Sequence, residues 1–183
     1  MIKKITLGLA CLASLSSVAQ VYVSKTSKVH FFSKTPMEDI EATSKAATAL
    51  LNNKTGDLVI SMTIKSFKFS SDLMEEHFNE NYMESEKFPK ADFKGKITNI
   101  AAVDFTKNGT YKVQITGDFT IHGVKKTQNT EGNITINNGA ISGNSKFVIK
   151  LEDYNIERPK IVWEKIAENI DVDCAFDFQP YKK

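Results

Sequence analysis

Ile170-Asp171-Val172-Asp173-Cys174-Ala175-Phe176-Asp177-Phe178, close to the end of the 183-residue chain, is the stretch that decides the fold. Ile170, Val172, Cys174, Phe176 and Phe178 fall on one side of an extended backbone, and Asp171, Asp173, Ala175 and Asp177 on the other. Apolar residues at five successive alternate positions describe a strand with one buried face. The same period recurs upstream. Leu58, Ile60, Met62 and Ile64 share a face, as do Val113, Ile115, Gly117, Phe119 and Ile121, and then Phe147, Ile149 and Leu151. The phase slips between Ile64 and Phe67, which marks a bulge or a strand end.

Turn chemistry joins these runs. Asn138-Gly139 and Asn108-Gly109 each sit between extended segments, and His122-Gly123 separates Ile121 from Val124. Asn-Gly suits a type I′ hairpin because both central residues need positive φ. Consecutive hairpins make an antiparallel meander. One segment has helical spacing instead. Across Asp72–Met83, Leu73, Met74, Phe78 and Tyr82 fall on one side, and Asp72 with Glu75 resembles a capping box. This predicts a short inserted helix with those four residues turned inward. Residues 36–53 read either way: helix on propensity, strand on the alternation of Ile40, Ala42, Ser44, Ala46, Thr48 and Leu50.

Eight strands are predicted: Val29–Lys34, Ile40–Leu51, Leu58–Ile64, Phe93–Ile100, Thr110–Ile121, Lys125–Ile136, Ala140–Leu151 and Asn169–Phe178. Closing such a meander removes its exposed edges. The expected fold is therefore all-β, an up-and-down antiparallel eight-stranded barrel with one short helix. Such a barrel is filled by side chains or holds one slender ligand.

The first 19 residues read as a secretory signal to be removed. Lys3 and Lys4 precede the apolar run Ile5–Leu15, and Ser17 and Ala19 are small at −3 and −1 of a cut. The run is too short to span a bilayer as a helix. Loss of Lys3 and Lys4 leaves 22 basic against 22 acidic residues, so a nucleic-acid footprint is not expected. Cys11 lacks the Leu at −3 that lipidation would favour, and Cys174 is then alone, so no intrachain disulfide is expected. Residues 20–183 form a single domain on this reading.

Three longer motifs carry a resemblance. Glu76-His77-Phe78-Asn79, Tyr82-Met83 and Lys87-Phe88-Pro89-Lys90-Ala91-Asp92-Phe93 with Gly95 form the first. Gly117-Asp118-Phe119-Thr120-Ile121-His122-Gly123-Val124-Lys125-Lys126 is the second, and Phe147-Val148-Ile149-Lys150-Leu151-Glu152-Asp153-Tyr154-Asn155-Ile156 the third. In this order they resemble the YceI-like family. The resemblance implies a lipocalin-like barrel, a secreted or periplasmic bacterial protein, strand across residues 36–53, and a polyisoprenoid or related amphiphilic lipid bound inside. The segment 158–167 matches none of the motifs.

A hydrocarbon chain needs little polar recognition, since transfer from water gains about 25 cal/mol per Å² buried. Met62, Ile64, Phe119, Ile121, Phe147, Ile149, Val172, Phe176 and Phe178 are the candidate lipid-binding residues. Ile149 is the position expected to tolerate enlargement if the interior is hollow. The alternative is a structural or stress-related secreted barrel whose core those residues fill. The expected partner is an amphiphilic lipid or isoprenoid, without nucleic acid, membrane span, cofactor or metal, and with homodimerisation left open. Enzyme chemistry is disfavoured. His30, His77 and His122 lack ligand spacing, there is no nucleophile elbow, and Asp171 and Asp173 lie on a polar strand face. An outer-membrane barrel would force many charges into a narrow interior.

Overall fold

The computed structural model describes residues 20–159 and 163–181. The expected signal segment 1–19 lies outside the described residues. The chain forms β1 (Val21–Lys34), β2 (Asp39–Ser44), β3 (Thr48–Asn52), β4 (Asp57–Thr63), α1 (Asp72–His77), β5 (Lys90–Ile97), β6 (Gly109–Ile121), β7 (Val124–Asn137), β8 (Ala140–Lys150) and β9 (Asn169–Pro180). Every paired strand is antiparallel, and β1 meets β9 to close a barrel.

Nine segments make eight staves because β2 and β3 share one position beside β1. Phe31 of β1 faces Ala42 of β2, and Tyr22 of β1 faces Leu51 of β3. The predicted strand Ile40–Leu51 is thus one broken stave. Its inward face changes parity at the break. Ala42 and Ser44 are buried before it, and Ala47, Ala49 and Leu51 after it. Leu50, expected on the inner face, points out and is 40% exposed. β1 slips in step: its register against β9 shifts between Val23 and Thr26. Tyr22 and Ser24 are buried before that bulge, Ser27 and Val29 after it. The Ala47 amide donates to Ser27 Oγ at 3.0 Å, tying the two irregularities together.

Two hairpins close as type I′ turns, with His122 and Gly123 at φ 50° and 73°, and Asn138 and Gly139 at 50° and 81°. Asn108-Gly109 does not. Val103–Lys107 is no strand, and β5 pairs with β6 across the connection 98–108. That connection folds under the barrel, where Ile100 and Val103 are buried and Phe105 stacks on Tyr22 at 6.1 Å. β4 and β5 remain paired up to Thr63 and Lys90, and residues 64–89 are inserted between them.

The insertion carries the helix. α1 starts at Ser71, whose hydroxyl accepts from the Met74 amide, so the cap is Ser71 and not Asp72. Glu75 closes no box and pairs with Lys68. A π turn over Phe78–Tyr82 continues α1 to 11 helical residues. The phase slip seen in the sequence is a strand end: a 3-10 turn occupies Ile64–Ser66, and the chain then bridges back to β2 at Thr43 and Lys68.

The barrel has two different ends. At one, Leu51, Ile97, Val113, Ile134, Ile136, Ile141 and Phe178 interdigitate and all are buried. At the other, the inserted helix, the His122-Gly123 turn and residues 151–159 and 163–168 gather above the staves.

Candidate functional site

Alternation puts apolar residues on the inner face of most staves, yet these rows do not meet everywhere. Between the packed end and the helix lies a cavity of about 510 Å³. Its wall is aliphatic and aromatic, with Ile60 and Met62 on β4, Phe119 on β6, Phe147 on β8 and Val172 on β9. These side chains are half-buried although they point into the barrel. Inward direction with residual exposure is what a hollow interior requires.

Phe93 on β5, Phe119 on β6 and Phe147 on β8 form a row, with centroids 4.7 and 5.0 Å apart and β7 between the last two. Phe93 lies down over the facing pair Gly95 and Gly117. A Cβ on Gly117 would sit 2.6 Å from the Phe93 ring tip and 2.5 Å from the Gly95 Cα, so glycine at this crossing lets the ring flatten against the wall.

The mouth is framed by α1, the β1–β2 turn and the segment before β9. Leu73, Met74 and His77 border it from the helix, Glu38 from the turn with Ile40 just inside β2, and Lys165 and Ile166 from the third side. Leu73, expected to turn inward, is 59% exposed at this rim. Phe78 does turn inward. It stacks on Phe31 at 5.5 Å and meets Phe67 and Phe69 at 5.6 and 5.1 Å. Lys165 Nζ lies 3.4 Å from Glu38 Oε2 across the opening. The Ala167 amide donates to Ser33 Oγ, and Arg158 donates to the Ile166 carbonyl and the Glu168 carboxylate. The described part of the unmatched segment 158–167 is therefore one side of the mouth.

His122 ties the rim together. Its Nδ1 lies 3.0 Å from the Tyr154 carbonyl and its Nε2 2.9 Å from the Glu84 carboxylate. The Tyr154 side chain is fully buried, and burial pushes its hydroxyl up to about 12. Cys174 faces the lower cavity, and burial pushes its thiol up to about 11, which makes it a poor nucleophile. Among the described residues no group of three His, Cys, Asp or Glu could hold a metal ion, and no helix is long and apolar enough to cross a membrane.

Of the nine residues singled out in the sequence, Met62, Ile64, Phe119, Ile121, Phe147, Ile149, Val172 and Phe176 border the cavity. Phe178 does not. One step nearer the closed end, it is 8% exposed and packs in the solid part of the core. Ile149 borders the cavity but is only 6% exposed, within the cluster of Ile64, Met83, Tyr154, Ile156 and Ile170. Enlarging Ile149 would thus strain packed neighbours, contrary to the sequence-based expectation. Sequence reasoning missed Phe31, Phe67 and Phe69 as cavity wall, because Phe31 follows the β1 bulge and the other two lie where alternation has lapsed.

A closed eight-stave antiparallel barrel with an apolar cavity is a lipocalin-like architecture. Residues 18–178 match the YceI-like domain, so the chain belongs to the YceI-like family. No curated protein matches the sequence at a significant level. Among solved structures, a polyisoprenoid binding domain from Saccharophagus degradans implicated in plant cell wall breakdown superposes with a TM-score of 0.76 at 14% identity, over 89% of this chain and 99% of that one. BcnA of Burkholderia cenocepacia gives 0.68 at 18% identity, over 82% and 95%. The YceI protein of Campylobacter jejuni gives 0.55 at 17% identity, over 75% and 81%. At these identities the likeness is one of fold.

Proposed function

We propose that the barrel binds the hydrocarbon chain of an amphiphilic lipid, a polyisoprenoid in the first place, as a carrier, store or sequestering protein. The observation that carries this reading is the 510 Å³ apolar cavity with a mouth framed by α1, the β1–β2 turn and the segment before β9. A cavity of this size falls within the roughly 300–1,000 Å³ range of small-molecule sites. Its apolar surface rewards hydrocarbon without any geometric demand on polar partners. The charged groups Glu38 and Lys165 stand at the rim, where a head group would meet water. The polyisoprenoid binding domain from Saccharophagus degradans adds support through its shared fold.

We further propose that residues 1–19 direct export and are removed, which places the barrel in the periplasm or outside the cell. Intact-mass measurement of exported protein should give a chain starting at Gln20. A diacylated Cys11 would instead put it on a membrane.

The test of binding is native purification without detergent, organic extraction and mass spectrometry. An isoprenoid or similar chain in near-stoichiometric amount is expected. Protein that emerges empty and takes up no prenol when supplied with one would favour a purely structural barrel.

A further inference from the structure

The cavity stops halfway down the barrel, and its floor sets a length. On β9 the residues that border it run from Ile170 to Phe176, and Phe178 below is packed. On β8 they run from Ile149 down to Ser145, and Ile141 below is packed. On β6 Ile115 is the last, and Val113 below it is packed. Ser145 Oγ donates to the Glu131 carbonyl at 2.6 Å and Thr130 Oγ1 to the Lys146 carbonyl at 3.3 Å, so the wall already engages both hydroxyl protons at the floor.

Six residues of strand at about 3.3 Å each, tilted by about 40°, give a depth of about 15 Å. An extended chain advances about 1.2 Å per bond, as a three-bond peptide residue does, so that depth holds about 12 bonds. With four chain bonds per isoprene unit, that depth holds about three units.

We propose that this barrel takes up about three isoprene units, a chain of about fifteen carbons, and that any longer polyisoprenoid leaves its remainder outside the mouth. The inference rests on the lipid-binding reading and narrows it. It is tested by displacing a fluorescent apolar probe from purified, delipidated protein with geraniol, farnesol and geranylgeraniol, of ten, fifteen and twenty carbons. Affinity should rise at least about tenfold from ten to fifteen carbons, while each added group is still buried, and by less than about threefold from fifteen to twenty. A further tenfold rise at twenty carbons, or no dependence on length, would overturn the limit and leave the lipid reading standing. Failure of all three alcohols to displace the probe would overturn both.

A floor variant locates the limit. Cys174→Phe adds bulk just above the packed level, so it should weaken farnesol about tenfold and geraniol less than about threefold. Should that variant not fold, Thr130→Leu fills the same level from β7. Equal weakening of both alcohols would place the chain end elsewhere and overturn the assignment of the floor.

Discussion

Phe78 shows how much one side chain can carry. It leaves the inserted helix to stack among Phe31, Phe67 and Phe69, and aromatic contacts of this kind are worth about 0.5–1.5 kcal/mol each beyond area. An aspartate there would place an unpaired carboxylate among rings. Phe78→Asp should cost about 2–4 kcal/mol in denaturant unfolding, and an unchanged midpoint would mean that the helix is undocked in solution. Cys174 gives a residue-scale prediction in pH. Its thiol is pushed up to about 11 in the folded chain, against about 8.5 when unfolded. Below pH 8.5 both states hold the proton and the shift has no effect. Above it the unfolded chain releases the proton first, so unfolding gains and stability falls until the folded thiol also ionises near pH 11. The loss should reach up to about 3 kcal/mol across that window. Comparison with Cys174→Ala at pH 7 and pH 10.5 checks it, since the variant should lose clearly less stability. Tyr154, pushed up to about 12, acts in the same direction but mainly above pH 10.

At the scale of elements, the hairpin tip at His122-Gly123 works as a clasp. Its imidazole reaches the Tyr154 carbonyl on one side and the Glu84 carboxylate on the other, joining the β6–β7 turn to the loop after the helix and to the turn after β8. His122→Ala leaves a carbonyl beside a buried residue without its donor. It should cost about 1–3 kcal/mol, and faster amide exchange should be confined to residues 78–89 and 151–156. Uniform exchange across the barrel would show that the histidine only shapes its turn. The same turn shows why some elements were legible in the sequence. β6, β8 and β9 keep an unbroken period of two, tight turns join β6 to β7 and β7 to β8, and the order and inner face of these strands follow from that. β1 and the β2–β3 stave do not, because a bulge in one and a break in the other reverse parity partway. Buried serines and alanines then occupy inner positions, where no hydrophobic signal marks them. The 98–108 connection misled for the opposite reason: Val103 and Phe105 alternate, but they plug the barrel end and pair with no strand. The wall residues on regular strands were legible. The rim was not, since Glu38, His77 and Lys165 come together only through the fold.

The whole molecule is solid at one end and hollow at the other, and this division should be measurable in how it tolerates substitution. Composition could not show it, because Ile141 below the floor and Met62 above it carry the same alternating signal. Their surroundings differ. Ile141 is 5% exposed among Ile134, Ile136 and Phe178, whereas Met62 meets the cavity along part of its length. Truncation at a packed site loses contacts on all sides and leaves a new void, so Ile141→Ala should cost about 2–5 kcal/mol. Met62 has already given up contacts on its cavity side. Met62→Ala only widens an existing space and should cost less than about 2 kcal/mol. Enlargement should separate the ends in the reverse sense. Val113→Phe forces a ring into the packed end at about 1–3 kcal/mol or more, while Val172→Phe projects into open volume and should cost less than about 1 kcal/mol. Denaturant unfolding of the four variants as lipid-free protein tests this, because bound lipid would add its own stabilisation to each. Equal costs for the two truncations would mean that the barrel collapses onto its cavity when empty. The mouth and the helix would then have to open before a chain could enter, and loading would be slow and limited by that opening. Unequal costs would show a cavity held open by its own walls, ready to take up a chain as fast as it arrives at the rim.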